Sequence, residues 1–483
     1  MSLSPSRGGS ASALDELIPL GHNWFIHDPK CRSVRVRYEP IPPHHDALPF
    51  VEVAIEKVVR TLAQMKSWRA SVVPCLHRTY HLGEETLSVV LHATMLHVEV
   101  LDMVHLLESD IPVHLYIGDP LTTGTPFDVY NPEKLTLPDR IAPGDPIFCS
   151  TTERVAVFAA YLHSPEDNAL YGLTVGQAVV PQPGFLPHRR LLPRSERHQR
   201  RMRNSQLALH CLGRPLSNPA VKVVERAVQQ LEAEREMLFE DVGDRPMSPA
   251  TDQRHSARLR KHDAELAILQ NSLNRPHKYD VGHACAAEAI IRPCTTVLTH
   301  GQPGSDHRHS TKQSRQGKER SDDHTHLLSW AVMRMAPSRA TGNPVTMQST
   351  AGILERGAAV AMHVRDPNLE RPLGPYRDGI VNGAPASVVI DGYVAQEWAV
   401  FPAPGWKGVR FAARGDAGAL ITSRTDDEHV GGGTTTPLAM LYAVPERGPY
   451  GLVTPLTTIL RRVRDVTGMQ LRFQDNHRRD CYV

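Results

Sequence analysis

From about Pro146 to Val444 the chain is cut into short β-type runs by Gly, Pro and Asp turns: Arg154–Leu162, Leu170–Pro181, Trp330–Met335, Val388–Pro402, Val409–Thr422 and Leu438–Val444. Runs of this length and spacing cannot build long helical bundles and predict a sandwich or barrel. The 39 prolines among 483 residues reinforce this reading, because proline lacks a backbone donor and is confined to turns and strand edges. A chain this long exceeds one small core and predicts about two to four domains.

Residues 1–47 read as an irregular lead-in with one short strand near Ser33–Tyr38. Residues 48–145 read as a small α+β module: Phe50–Ile55 alternates as a strand does, Ile55–Gln64 has helical spacing, and Leu87–Leu101 supplies one or two strands. The β domain spans 146–473 with two insertions, and 474–483 is a tail.

The first insertion, 183–275, opens with Arg189, Arg190, Arg194, Arg197, Arg200, Arg201 and Arg203, relieved only by Glu196. It continues with apolar residues three or four apart, Val221, Val224, Val228, Leu231, Leu238 and Val242, then Leu259, Leu266, Leu269 and Leu273. Each set falls on one helix face, so the pair predicts an antiparallel hairpin packed on the β domain, with an intermolecular coiled coil as the alternative. The second insertion, 299–326, holds five His, five Lys/Arg and four Asp/Glu without an apolar anchor and predicts a disordered loop.

With 54 basic and 52 acidic residues the net charge is +2, which excludes a global field for nucleic acid or membrane. Any such role falls to the arginine cluster. It suits phosphates or an acidic partner, or equally a solvated or nuclear-targeting segment, and only Phe185 lies near it for base stacking. No window approaches the roughly 18 apolar residues of a membrane span, and Met1–Asp15 lacks the apolar run of a secretory signal. The expectation is an intracellular protein, cytoplasmic or nuclear, with no membrane partner. Cys31, Cys75, Cys149, Cys211, Cys285, Cys294 and Cys481 are scattered without a Cys-x-x-Cys pair, predicting free thiols in a reducing compartment.

No cofactor and no metal are predicted. Phosphate-loop, dinucleotide, His-Glu-x-x-His and Gly-x-Ser-x-Gly motifs are all absent from the sequence. His300, Asp306, His307, His309, Asp322, Asp323, His324 and His326 offer ligand chemistry, but in a loop without the rigid surroundings a site needs.

Four segments taken in order carry the functional signal. Tyr171–Val180 resembles the leucine-threonine-alanine-glycine-histidine-valine segment of trypsin/chymotrypsin-like serine peptidases, particularly their divergent fungal-type members. Leu328–Val332 resembles their aspartate-tryptophan-alanine-leucine strand. Arg414–Ile421 resembles their glycine-aspartate-serine-glycine nucleophile loop, and Gly451–Thr467 their closing strand and C-terminal helix.

The resemblance implies a mainly β, chymotrypsin-like double β-barrel with a triad of histidine, aspartate and serine. It places Gln177 at the histidine position, Ser329 at the aspartate position and Ala417 at the serine position. Gln177 has no titratable nitrogen and Ala417 no nucleophile, so the triad is vestigial. The backbone donors of the Gly415, Asp416 and Ala417 loop retain only the capacity to bind a carbonyl oxygen.

The implied function is that of a pseudopeptidase, a catalytically inactive homologue that binds a peptide or protein segment. Three alternatives stay open. One is an active hydrolase with a relocated nucleophile, drawing on His163, His363, Asp366 or Ser423. Another is an assembly or nucleic-acid-associated protein using the arginine segment. In the last, the same turns are ordinary loops of an unrelated β protein.

Overall fold

The computed structural model describes residues 17–21, 24–27, 36–64, 69–79, 85–94, 111–121, 125–126, 140–180, 214–217, 221–240, 248–275, 280–289, 327–340, 343, 347–364, 376–390, 392–404, 410–424, 435–446 and 448–474. The fold is mainly β. Strands β1 (Leu17–Gly21), β2 (Trp24–His27) and β3 (Val36–Glu39) arise in the lead-in expected to be largely irregular. Helix α1 (Leu48–Gln64) follows, then β4 (Arg69–Thr79), β5 (Glu85–Ala93) and β6 (Val113–Ile117). β4 and β5 are antiparallel, while β6 runs parallel to both β5 and β2.

Phe50–Ile55 is helix, not the expected strand. A strand would bury Val51, Val53 and Ile55 together, yet Val53 is 68% exposed and Phe50 74%. The buried residues Leu48, Val51, Ile55, Val58/Val59 and Leu62 recur every three or four positions, and over 17 residues this helical period prevails over a six-residue alternation. They pack on the aliphatic face of the sheet, against Val72, Leu76, Val89, Leu91, Val113 and Leu115.

The boundary at 145/146 does not divide the sheet. β4 pairs with β3 through Leu76–Thr79 and with β17 (Ala386–Ile390) through Arg69–Val72. Pro74 lies between these two ladders and has no N–H to satisfy there. Buried Asn382 bridges the gap. Its Oδ1 accepts from the Ile41 N–H (2.8 Å), and its Nδ2 donates to the carbonyls of Pro74 (2.8 Å) and Ala384 (3.0 Å).

Six strands form a closed antiparallel barrel: β15 (Ala359–His363), β16 (Tyr376–Val381), β18 (Tyr393–Pro402), β19 (Leu420–Ser423), β20 (Pro437–Ala443) and β21 (Gly451–Pro455). Their pairing order is β15, β16, β18, β21, β20, β19 and back to β15. Val360, Met362, Val400, Phe411, Ile421, Leu441 and Val453 fill it.

A nine-stranded sheet lies beside the barrel. It comprises β7 (Thr125–Pro126), β8 (Pro146–Cys149), β9 (Arg154–Val157), β10 (Ala160–His163), β11 (Leu170–Thr174), β12 (Arg214–Ser217), β13 (Asp280–Ala289), β14 (Ser329–Met335) and the C-terminal β22 (Arg472–Phe473). Pairings lead from β9 through β8, β12, β13, β14 and β11 to β10. Only Phe158 and Ala159 separate β9 from β10 in the chain.

β12 corrects the expected first insertion. The span 183–275 is not one excursion, because Arg214–Ser217 pairs with both β13 and β8. Helix α2 (Gly176–Val179) ends the segment before it; α3 (Val221–Glu240) and α4 (Pro249–Leu273) follow and pack on each other. Arg235, between Leu231 and Leu238 in the apolar register, donates to Asp263 across the hairpin at 2.6 Å. The arginine cluster and the 299–326 loop lie outside the described residues.

The final helix, α5 (Leu456–Thr467), buries Leu456, Ile459 and Val463. Arg462 donates from Nε (2.9 Å) and Nη2 (2.7 Å) to the carboxylate of Glu288 on β13, which also accepts from the Trp330 indole at 3.1 Å. The helix that follows the closed barrel is thereby fastened to the nine-stranded sheet.

Candidate functional site

β11 delivers Thr174, and the chain then turns through Val175 and Gly176 into α2. A Cβ on Gly176 would stand 2.0 Å from the Glu288 carbonyl oxygen and 2.7 Å from that of Trp330, so only glycine allows this approach. The turn brings the Gln177 N–H to within 3.4 Å of the Ser329 hydroxyl, at the first residue of β14. Gln177 is 8% exposed and Ser329 2%. The Gln177 Oε1 is buried without a hydrogen-bond partner among the described residues.

The facing loop, Ala413–Ala419, is folded around the Asp416 carboxylate. Its Oδ2 accepts from the Ala413 N–H (2.7 Å) and from Arg377 Nη1 (2.5 Å). Burial pushes the Asp416 carboxyl up, while Arg377 and the Ala413 N–H pull it back. Gly415 and Gly418 hold φ of +103° and +104°. At Gly418 a Cβ would also meet the Val157 carbonyl oxygen at 2.2 Å.

The Ala417 carbonyl accepts from the Val157 N–H (2.8 Å), and the Val157 carbonyl accepts from the Thr174 hydroxyl (2.7 Å). Ala417, 1% exposed, is thus two hydrogen bonds from Thr174, three residues before Gln177. Gln177 and Ser329 are thus in contact, and the Ala417 loop is tied through Val157 to the end of β11.

The chemistry available is limited. The Ser329 hydroxyl is an acceptor for a backbone donor, Gln177 cannot exchange a proton near neutral pH, and Ala417 offers no attacking atom. Among the described residues the Gly415 and Ala417 N–H groups have no hydrogen-bond partner, which leaves them able to hold an acceptor oxygen.

Of the side chains considered as substitutes, Ser423 and His363 lie on adjacent strands at different register positions, opposite Val360 and Leu420. Ser423 Oγ accepts from the Thr436 N–H (3.1 Å). His363 Nε2 lies 3.1 Å from Thr422 Oγ1, but both are buried, and burial pushes the imidazole down to about 4. Asp366 lies outside the described residues, and His163 stands on β10, opposite Arg472 of β22.

Two residues essential to this geometry carry no sequence motif. Arg377 is 39 positions from Asp416, and Arg462 is 174 from Glu288. The only available signal was that a buried Asp in a Gly-rich loop requires a cation, and 54 Lys and Arg residues compete for that part.

Among the described residues no group of His, Cys, Asp and Glu is arranged to hold a metal ion, and no helix is long and apolar enough to cross a membrane. Cys75, Cys149 and Cys285 are free thiols. No protein-family model matches the chain, and no curated protein matches its sequence.

Proposed function

We propose that the chain is a catalytically inactive relative of the trypsin/chymotrypsin-like serine peptidases, a double β-barrel that binds a peptide or protein segment at the Gln177, Ser329 and Ala417 junction. The observation that carries the reading is a chain of hydrogen bonds: Gln177 N–H on Ser329 Oγ at 3.4 Å, and Ala417 joined through Val157 to Thr174, three residues before Gln177. Three inert residue types at one junction fit a retained scaffold with lost chemistry, since the glycines there serve the backbone rather than catalysis.

Strand order supports the double barrel. Counting β9 and β10 as one bent strand, the nine-stranded sheet contains a six-membered circuit: β8, β9/β10, β11, β14, β13, β12 and back to β8. In chain order this is first, second, third, sixth, fifth, fourth, which is also the order of the closed barrel. Free thiols at Cys75, Cys149 and Cys285 fit an intracellular, reducing compartment.

Two exposures of the purified chain test the reading. A fluorophosphonate should leave the protein unlabelled, and a peptide library should yield binders that compete with one another and are lost on Ala417→Trp, which fills the junction. Labelling or turnover that disappears on substitution near Gln177 or Ala417 would sink the inactive reading. A library without binders would remove the peptide-binding half of it.

A further inference from the structure

Helices α3 and α4 form a hairpin that meets the β sheet at its base, where Lys222 bonds Glu153 just before β9; no described strand packs along either helix. In the seam Leu231, Leu259, Leu266 and Leu269 stay partly exposed, because two helices cover each other from one side only. The hairpin therefore offers two broad faces, and they differ in charge.

Cross-helix contacts define the first face. Arg235 donates to Asp263 (2.6 Å) and lies over the Phe239 ring at 5.1 Å, and Gln270 donates to Glu232 (3.2 Å). On this flank α3 carries Glu225, Gln229, Glu232, Glu236 and Phe239, all exposed and spaced four, three, four and three residues apart. On α4, Asp263 and Gln270 each follow a seam residue, His262 and Leu269, by one position. Arg258 and Glu265 each precede one, Leu259 and Leu266, which turns them to the opposite flank. They belong to the stripe Arg254, Arg258, Lys261, Glu265 and Ile268, again exposed and with the same spacing.

The two stripes match in length and oppose in charge. Each spans about 21 Å at a rise of about 1.5 Å per residue. Laid side by side in the same direction, the register that sets Phe239 (51% exposed) on Ile268 (58% exposed) sets Glu232 on Lys261 and Glu225 on Arg254. The unfavourable pair is Glu236 with Glu265, and Glu265 has Lys261 at 3.8 Å on its own helix. Among the described residues the Arg254, Arg258 and Glu236 side chains make no ion pair or hydrogen bond within the chain.

We infer that the hairpin is a self-association surface on which the α3 stripe of one copy takes up the α4 stripe of the next. An acidic partner from elsewhere would fit the α4 stripe alone, whereas further copies of this chain satisfy both stripes. Because the stripes lie on opposite faces, the contact is head-to-tail and leaves one stripe open at each end, so assembly continues past two copies. A hairpin face about 30 Å long and about 20 Å wide buries about 600 Å² on each copy, or about 1,200 Å² in total, the lower edge of stable interfaces. Its charge pairs are solvent-facing and weaken with salt. The inference is independent of what the Gln177, Ser329 and Ala417 junction binds.

Sedimentation velocity on the full chain tests it. At about 100 µM protein and about 50 mM salt the weight-average mass should rise past twice that of one copy, and at about 500 mM salt it should fall back to one copy. Two double variants each keep one stripe: Glu232→Gln with Phe239→Ser, and Arg254→Gln with Ile268→Ser. Each alone should remain a single copy with the helix content of the parent, since all four side chains are exposed. Mixed in equal amounts, the two should form a one-to-one complex and nothing larger. A parent that is a single copy at low salt would overturn the inference. So would assembly that stops at two copies, assembly that resists salt, or mixed variants that fail to combine.

Discussion

The two strand systems that meet at Ala417 hold their buried polar groups in opposite ways. In the nine-stranded sheet the Glu288 carboxylate receives three donors, two from Arg462 and one from Trp330. In the closed barrel Asp416 receives two, from Arg377 and the Ala413 N–H, and burial still pushes it up. His363 in the same barrel has Thr422 beside it and is pushed down to about 4. Three donors surround the carboxylate in one system, whereas in the other desolvation works against the charged forms. The barrel side should therefore respond to pH and the sheet side to loss of a partner.

The largest effect should come from Arg462→Met. It strands a buried carboxylate and detaches α5, costing about 3–5 kcal/mol in denaturant unfolding; a loss within error would remove the claim that this contact fastens the two systems. Acid should act next, and on the barrel. The unfolded chain titrates His363 near its ordinary 6.5 and the folded chain near 4, so the unfolded state binds more protons between these values. Stability is then full above about pH 6.5 and falls by about 3 kcal/mol as pH drops to about 4. His363→Gln should flatten that part of the profile.

Arg377→Met should cost about 2 kcal/mol at neutral pH, because Asp416 keeps only one donor. The loss should shrink as acid protonates the Asp416 carboxyl, which burial pushes up, and a loss that grows with acid would reverse the assignment. Smallest is Phe50→Ser on the exposed side of α1, which should stay within about 0.5 kcal/mol.

Local features of the site were legible in the sequence because backbone geometry imposes residue types there. Gly176 is required by the approach to Glu288 and Trp330, and Gly418 by its positive φ against Val157. These glycines, with the strand at Trp330, are what drew attention to Gln177, Ser329 and Ala417 in the sequence. The α3–α4 hairpin was legible for a similar reason, since its apolar period extends over many turns.

Features decided by distant partners were not. β12 has four residues and gains its identity from β13 and β8, and β17 joins β4 across more than three hundred positions. α1 was divided because the six residues Phe50–Ile55 near its start imitate a strand. Nothing local to β4–β6 indicates that Tyr450 reaches His92 from more than three hundred positions away.

The central claim is a scaffold that keeps the geometry of a triad after losing its chemistry, and restoring the residues tests it most directly. The triple variant Gln177→His, Ser329→Asp, Ala417→Ser should fold as the parent does and become labelled by a fluorophosphonate at residue 417, while the parent stays unlabelled. A folded triple variant that remains unreactive would contradict the account.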